Sequence, residues 1–293
     1  MVGVIMIDFT DCKELISTYG GSEKKKRIIY KNKIYLLKFP DPIRDVGNTL
    51  SYMNNQFSEY IGCHIMESLG ISAQKTIIGI YKENSKEKIV VACEDFTDED
   101  NQLVEFSKLA NSVTKIDNKF KCNIEDIYYV IDNIKIINNK EEIIKHFWDM
   151  FVADALIGNP DRHLDNWGLL YNTKNNSYVF SPIYDCGSCL HALFSERKKE
   201  EILTSKTEMK NIAYNIKSVY SINNKKIPYS EIFKNPPKDL KEAILRIAPK
   251  IDMEKIYEII DYVPAISDID RKFFKESIKI RKELIIDKAL KDI

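Results

Sequence analysis

Apolar positions follow different patterns in the two parts of the chain. The first part has short runs rich in Ile, Val, Tyr and Phe, which are typical of β-strands. These runs predict strands over 4–9, 28–30, 34–39, 75–81 and 88–94. One segment between them, 54–69, instead has an apolar residue at every fourth position from Phe57 to Leu69 and a glycine after its end, which predicts a helix.

The second part of the chain is mostly helical by the same criterion. A period of three to four residues predicts helices over 103–109, 125–131, 141–157, 238–247, 253–262 and 268–290. Two short apolar runs, 167–171 and 178–180, flank a polar turn and predict a hairpin. Residues 195–230 are polar, rich in Lys and Asn and weakly periodic, so we expect surface or mobile structure there.

The change from one pattern to the other falls in a polar run. A strand that ends near Cys93 is followed by the acidic and amide-rich stretch 97–102. We therefore predict an α+β protein with a β-rich N-lobe over 1–96 and a mostly helical C-lobe over 97–293.

Composition and charge narrow the function classes. The 293 residues include 44 Lys and Arg and 44 Asp and Glu, so the formal net charge is zero. A neutral chain has no bulk attraction for nucleic acid or for a membrane surface. No run approaches the ~18 apolar residues of a membrane helix, and the apolar N-terminus lacks the basic segment of a signal peptide. We expect a cytoplasmic protein that binds neither nucleic acid nor membrane.

The cysteines point to reduced core thiols rather than to a metal site. Six of them are scattered along the chain, several in apolar surroundings. Cys186 and Cys189 have CxxC spacing, but no second Cys or His pair stands at the spacing of a zinc site. We therefore expect neither a metal nor a redox function for this pair.

The densest chemistry follows the strongly apolar helix predicted in the middle of the chain. Asp161 is followed five residues later by Asn166, and the predicted hairpin then leads to Asp185 in an Asp-x-Gly sequence. This is the acid–amide–acid set of a phosphoryl-transfer site. Asn166 and Asp185 offer the oxygens that Mg²⁺ prefers, and Asp161 can accept the proton of an attacking hydroxyl. Arg162 and His163 can orient that acid or screen its charge.

Three features of the first part precede this loop in the order typical of kinases. Gly20, Gly21 and Ser22 come before a run of lysines, and a tight backbone with cations nearby suits phosphates. Lys38 lies inside an apolar strand, so either the strand is at a sheet edge or the ammonium has a dedicated partner. Glu59 lies off the apolar stripe of its helix, either in solvent or pointing at Lys38. Each of these features alone can be explained by an ordinary loop, sheet edge or turn. The order in which the features occur along the chain, however, favours a kinase-type site.

With these motifs the chain resembles the HipA-like serine/threonine kinases, and most of all a short, stand-alone branch of pro-inflammatory kinases that enter host cells. The resemblance runs over nearly the whole chain. It is carried by 7–10, 58–60, 63–65, 90–93, 95–97, 147–154, 161–163, 166–168, 185–190 and 251–253. It implies a two-lobed protein-kinase-like fold that binds ATP between the lobes and uses Mg²⁺.

The resemblance also implies a role for each candidate residue. Lys38 would hold the α- and β-phosphates of ATP and pair with Glu59. Asp161 would be the catalytic base, with His163 beside it as a further catalytic residue. The other implied roles belong to Gly20, Gly21 and Ser22 in the phosphate loop, to Glu94, Asp95 and Phe96 in the hinge that touches adenine, and to Asn166 and Asp185 as ligands of Mg²⁺.

A partner and a location follow from the same resemblance. The acceptor would be a Ser or Thr hydroxyl of a protein, with a host-cell protein among the candidates. Secretion without a typical signal peptide and translocation into host cells are further expectations. Autophosphorylation is expected near the phosphate loop, on Ser17, Thr18 or Ser22, where a dianion would compete with the phosphates of ATP.

Two departures limit what the resemblance implies. The long N-terminal region of HipA-type toxins is absent, so DNA binding with an antitoxin partner is not expected. No Ala-Pro-Glu follows Asp185, so activation-loop control of the familiar kind is not expected.

Three other functions fit part of the pattern. A small-molecule or lipid kinase would use the same scaffold, since a fold does not fix the acceptor. A non-catalytic pseudokinase effector would be expected to lose at least one core motif residue, and all are present. A metal hydrolase would use Asp161, His163, Asp165 and His191, which are suitable ligand types, but these residues lack the spacing of a recognisable metal site.

Overall fold

The computed structural model describes residues 6–16, 24–40, 42–44, 50–52, 54–113, 122–137, 139–222 and 224–293. Within these ranges the first part of the chain forms a six-stranded sheet and the second part is mostly helical.

The six-stranded sheet has the strand order β1-β7-β8-β4-β3-β2, in which β1 and β7 are parallel and the other neighbours are antiparallel. Its strands are β1 (Ile7–Asp8), β2 (Lys13–Leu15), β3 (Lys25–Tyr30), β4 (Lys33–Lys38), β7 (Thr76–Glu83) and β8 (Lys86–Glu94). A separate pair consists of β5 (Pro42–Arg44) and β6 (Leu50–Tyr52). The predicted strands are confirmed with shifted ends, and residues 4 and 5 of the first one lie outside the described residues.

Both faces of this sheet are covered, which explains the continuous apolar run in β8. Val90 and Ala92 belong to a small cluster on one face that also contains Phe9. The alternate residues, Val91 and Cys93, belong to the large core that includes helix α1 (Asn55–Ser68). Successive side chains of a strand point to opposite faces, so a strand buried on both faces is apolar throughout.

The second part consists of helices around a small sheet. The small sheet contains β9 (Asn101–Glu105), β10 (Gly168–Asn172) and β11 (Ser177–Phe180), and a hairpin further on contains β12 (Lys217–Ile222) and β13 (Lys225–Pro228). The helices are α2 (Phe106–Val113), α3 (Ile124–Asn133), α4 (Lys140–Ile157), α5 (Glu196–Leu203), α6 (Lys206–Tyr214), α7 (Tyr229–Ile232), α8 (Lys238–Ile247), α9 (Met253–Tyr262), α10 (Asp268–Arg281) and α11 (Asp287–Asp292).

The prediction of a helix over 103–109 is wrong for its first residues. Residues 101–105 form strand β9, and the helix begins only at Phe106. In β9, Val104 faces Leu169 of β10 in an antiparallel ladder. Pairing with a strand more than sixty residues away overrides the local helical period, which the sequence pattern could not anticipate.

The expectation of surface or mobile structure over 195–230 is right for the surface, since most of the described residues there are exposed or half-buried, but the segment also has regular structure and buried side chains. This segment forms α5, α6 and the β12–β13 hairpin. Lys199, Tyr220 and Tyr229 in it are fully buried. The Lys199 ammonium lies 2.6 Å from Asp270 Oδ1, which explains how a lysine fits into the core.

Helix α4 leads into the loop with the candidate acids, and its C-terminus is held from α10. The Arg281 guanidinium donates hydrogen bonds to the carbonyls of Leu156 at 2.8 Å and Ile157 at 3.2 Å. The helix then ends at Gly158 with φ +66°, and a Cβ there would lie 2.7 Å from Arg281 Cζ. A glycine is required because the backbone is left-handed and the arginine packs directly against it.

The single helix predicted over 268–290 is confirmed up to Arg281 and then changes character. Ser267 caps its start, since its hydroxyl accepts a hydrogen bond from Asp270 N at 3.1 Å. After Arg281 a π-helical turn, Lys282–Ile286, leads into α11. This π-helical turn lies directly after Arg281, the arginine that binds the C-terminus of α4.

Candidate active site

A cavity of about 540 Å³ lies between the six-stranded sheet and the loops that follow α4 and β11. Lys25 and Lys38 line it from the sheet, and Asn166 and Asp185 line it from the other side. Phe96 lies at its edge, with its ring 5.9 Å from that of Tyr184. The cavity therefore has cations on one wall and metal-type oxygen ligands on the other.

Lys38 occupies the centre of this arrangement. It lies at the end of β4, an inner strand between β3 and β8, so the edge-strand explanation is wrong. Its ammonium is 2.8 Å from Asp185 Oδ1 and 3.1 Å from Glu59 Oε2. Burial by itself would lower the pKa of Lys38, but the two carboxylates raise it well above its usual value. The lysine is a permanent cation in the cavity wall.

Asp185 is the acid that the lysine holds from the other part of the chain. The nearby ammonium of Lys38 lowers the pKa of Asp185 to about 2, so this carboxylate is ionised at neutral pH. Its backbone has φ +58°, a left-handed conformation in which aspartate is tolerated better than most residues. The local turn thus directs the carboxylate toward Lys38.

Glu59 reaches Lys38 because helix α1 is packed between the sheet and the segment after Asp185. The glutamate side chain is completely buried, so the solvated alternative is wrong. The Ser58 hydroxyl donates to Cys189 O at 2.8 Å, and the Cys189 thiol lies 3.3 Å from Ser58 O. At the helix start, Asn54 N donates to Ala192 O at 3.0 Å.

Asp161 and Asn166 are brought together by the loop itself. Asn166 Nδ2 donates to Asp161 O at 2.8 Å, and Asp161 N donates to Asn159 Oδ1 at 3.0 Å. The Asp161 side chain is 51% exposed and lies beside the cavity rather than in its lining. His163 stands between two acids, with Nε2 3.9 Å from Asp161 Oδ1 and Nδ1 3.4 Å from Asp165 Oδ2.

Arg162 holds the two halves of the site together, which differs from both roles expected of it, orienting Asp161 directly or screening its charge. Its side chain is fully buried and pairs with Asp154 of α4 through Nε–Oδ2 and Nη2–Oδ1 contacts of 2.9 and 3.1 Å. Its Nη1 donates to Asn166 O at 2.8 Å, to Tyr184 O, and to Asp185 O at 3.4 Å. One guanidinium thereby fixes the backbone of both candidate metal ligands.

Asp154 in turn is supported by the residues around the end of α4. Asn159 Nδ2 donates to Asp154 Oδ1 at 3.1 Å. The Tyr229 hydroxyl donates to Asn159 O at 2.7 Å, so the segment 195–230 supports the loop. The sequence contained one signal for this network: an acid inside a continuous apolar helix needs a buried partner, and Arg162 is the cation that follows.

The ligand set fits Mg²⁺. Asn166 uses its amide nitrogen to bind Asp161 O, which leaves the amide oxygen available, and Asp185 supplies an ionised carboxylate. Mg²⁺ takes one or two such oxygens and keeps several waters. Among the described residues no group of three or more His, Cys, Asp or Glu side chains is arranged to hold a metal ion. The hydrolase alternative, which needs such a group, is unsupported there.

The hinge candidates differ from one another in position. Asp95 and Phe96 line the cavity, and Arg27 lies 3.2 Å from the Asp95 carboxylate. Glu94 does not line it, because its side chain turns toward Lys33 at 2.7 Å. Its backbone carbonyl accepts a hydrogen bond from Gln74 Nε2 at 2.9 Å, so that oxygen is engaged within the protein.

Gly20, Gly21 and Ser22 lie outside the described residues, as do Ser17 and Thr18. The described chain resumes at Lys24, next to β3. The phosphate loop therefore remains a prediction from sequence.

The described site and the sheet-over-helices fold define a two-lobed protein of the protein-kinase-like class. A family model described as the HipA-like C-terminal domain matches residues 17–254. The serine/threonine-protein kinase CtkA of Helicobacter pylori is 41% identical over 290 residues, which are 97% of this chain and 87% of that protein. The chain therefore belongs to the HipA-like C-terminal domain family.

Solved structures agree with this assignment. The crystal structure of the Helicobacter pylori proinflammatory kinase CtkA matches with a TM-score of 0.89 and 40% identity, covering 98% of this chain and 97% of that one. A chain of the complex of the Shewanella oneidensis toxin–antitoxin system HipA and HipB with its operator DNA has a TM-score of 0.58 at 14% identity, covering 97% of this chain and 69% of that one. The second likeness bears on the fold alone. In the part of the chain that the structure describes, no helix is long and apolar enough to cross a membrane.

Proposed function

We propose that this protein is an ATP- and Mg²⁺-dependent protein serine/threonine kinase. The observation that carries the proposal is the position of Lys38, whose ammonium is held between Glu59 and Asp185 on the wall of a cavity of about 540 Å³. A cation held between two acids from different parts of the chain is suited to bind phosphates at a fixed distance from a metal ligand.

The residues divide the work of phosphoryl transfer. Lys38 binds the α- and β-phosphates, and Glu59 keeps its ammonium in place. Asn166 and Asp185 would hold Mg²⁺, which when bound neutralises charge on the phosphates. Asp161 accepts the proton of the attacking hydroxyl. Since a transferred phosphoryl group needs little covalent chemistry from the protein, fixed positions and charges supply most of the rate.

A protein acceptor is favoured by the exposure of the base. Asp161 is half exposed and lies outside the cavity lining, so a large acceptor can reach it from solvent while the nucleotide fills the cavity. The name of the Helicobacter relative, a serine/threonine-protein kinase, supports the same acceptor class. Host-cell entry and a host-cell acceptor remain proposals that rest on the resemblance. Autophosphorylation on Ser17, Thr18 or Ser22 remains one as well, and phosphosite mapping after incubation with ATP tests it.

The test is transfer from γ-labelled ATP with Mg²⁺ to myelin basic protein. Wild type is compared with Asp161→Asn, Asp185→Asn and the control Asp132→Asn, which removes an exposed carboxylate on α3. We expect label on Ser and Thr that is lost in the first two variants and kept in the control.

Each other result points to a different function. ATP consumption that needs a metabolite extract and leaves proteins unlabelled would indicate a small-molecule kinase. Tight ATP binding without turnover in wild type would indicate a non-catalytic effector. Undiminished transfer by Asp161→Asn would remove the base from the mechanism.

A further inference from the structure

A serine that no motif assigns lies against the candidate base. The Ser188 hydroxyl is 3.3 Å from Asp161 Oδ2 and donates to it. Ser188 follows the Asp-x-Gly sequence directly, 27 residues along the chain from Asp161. The contact therefore joins the loop that carries the base to the segment that carries Asp185.

The backbone around Ser188 is firmly held. Cys189 N donates to Cys186 O at 3.0 Å, which closes a turn around the serine. The next residue is bonded to helix α1, where the Ser58 hydroxyl donates to Cys189 O at 2.8 Å. On the other side, a Cβ at Gly187 would lie 3.2 Å from Glu59 Oε2, so the turn rests directly on the Lys38–Glu59 pair.

The Asp161 carboxylate, by contrast, needs a partner to fix its orientation. The loop backbone is held on both sides, by Asn159 and Asn166. The side chain is 51% exposed, and the terminal torsion of an aspartate is broad, so the two oxygens can exchange places. A hydrogen bond to one oxygen from a rigid turn stops that rotation.

We propose that Ser188 is a positioning residue for Asp161: its hydroxyl binds Oδ2 and leaves Oδ1 to receive the proton of the acceptor hydroxyl. Oδ1 is also the oxygen that lies 3.9 Å from His163 Nε2. The contact of 3.3 Å is long for a hydrogen bond between two oxygens, which is typical of catalytic contacts before substrate binds. This inference rests on the proposed kinase function and adds a residue to the same site.

The experiment is steady-state kinetics of transfer to myelin basic protein by Ser188→Ala and Ser188→Thr. We expect Ser188→Ala to lower kcat about tenfold, the equivalent of roughly 1.4 kcal/mol in the barrier, with KM for ATP and the melting temperature unchanged. Ser188→Thr keeps the hydroxyl and should recover most of kcat. The matched control is Ser112→Ala, which removes a hydroxyl bonded to Leu109 O within α2.

The outcomes separate this inference from the function it rests on. An unchanged kcat in Ser188→Ala, or a loss that Ser188→Thr does not recover, overturns the positioning role. A loss accompanied by a lower melting temperature assigns the serine to folding and also overturns it. Asp161→Asn is measured alongside: if it transfers phosphate normally, the proposed base is wrong, whereas if it is inactive and Ser188→Ala is normal, only the role of Ser188 fails.

Discussion

Replacing Asp154 by Asn is the sharpest perturbation of this site that leaves the proposed phosphate-binding, metal-binding and base residues unchanged. The variant removes the charge that compensates Arg162, and both side chains are almost fully buried, at 1% and 0% exposure. Loss of one partner from a buried ion pair costs about 3–5 kcal/mol, because the other charge stays in the core. At roughly 2–4 °C per kcal/mol for a chain of this size, the melting temperature should fall by about 10 °C.

Transfer activity should fall as well, for a reason separate from stability. Arg162 also donates to the carbonyls of Asn166, Tyr184 and Asp185, and Asp154 sets the orientation of the guanidinium that does so. The assays are urea unfolding followed by tryptophan fluorescence, and kcat measured well below the new melting temperature. Arg197→Ala is the control, since that arginine pairs with Glu201 at 78% and 52% exposure and should change stability by less than about 1 kcal/mol.

A double variant separates folding from positioning. Asp154→Leu with Arg162→Met replaces the buried pair by apolar side chains, which is often close to neutral for stability. It should recover part of the lost stability while kcat stays low, because the guanidinium that held the backbone of both metal-ligand segments is gone. A cost below about 1 kcal/mol for Asp154→Asn, or full activity in the double variant, would refute this account of Arg162.

Three further predictions concern the cavity wall, a buried histidine and a close approach. Lys38→Met should lower transfer at least about 100-fold by removing the cation that holds the phosphates, whereas Lys33→Met, at an exposed position 59% accessible, should not. Burial, together with nearby cations, lowers the pKa of His191 to about 3. In the unfolded chain its pKa is about 6.5, so the unfolded state binds the extra proton and stability falls as pH decreases below that value. From pH 7.5 to 5.5 wild type should lose about 1.4 kcal/mol more than His191→Asn in urea unfolding. Gly62→Ala places a Cβ 2.6 Å from Cys186 Cβ, which should cost about 1–3 kcal/mol and lower kcat by displacing the segment after Asp185.

These three predictions would each be contradicted by a simple result. Equal transfer by Lys38→Met and Lys33→Met would leave the cavity wall without a role in phosphate binding. Parallel pH profiles of stability for wild type and His191→Asn would show that the histidine titrates normally in the folded protein. A fully stable and active Gly62→Ala would mean that the helix and the Cys186 segment move apart freely.

The parts of the site that the sequence predicted are those defined by spacing along the chain. Asp161, Asn166 and Asp185 are separated by a loop and one hairpin, and such short-range chemistry can be recognised without a structure. Glu59 could not be placed in the same way, since its position on helix α1 depends on a lysine from strand β4. The structural role of Arg162 could not be predicted from spacing either, because its buried position depends on an acid inside α4.

The fold shows the same division. Helices with a clear period, such as α8 and α9, occur at their predicted residues. Strand β9 was missed because its partner, β10, lies more than sixty residues further on. The segment 195–230 is polar overall but contains a few buried side chains, and composition alone does not indicate which lysine or tyrosine is buried.

The attachment of helix α1 to the segment after Asp185 makes an outward displacement of this helix costly. Moving α1 outward would break the bonds from Asn54 to Ala192 and between Ser58 and Cys189 at the same time. At about 0.5–1.5 kcal/mol for each of these three bonds, the displaced helix lies roughly 1.5–4.5 kcal/mol above the paired one. It is then occupied by fewer than about one molecule in ten at equilibrium. A ligand that binds only the displaced helix would therefore have an apparent dissociation constant about tenfold or more above its intrinsic one.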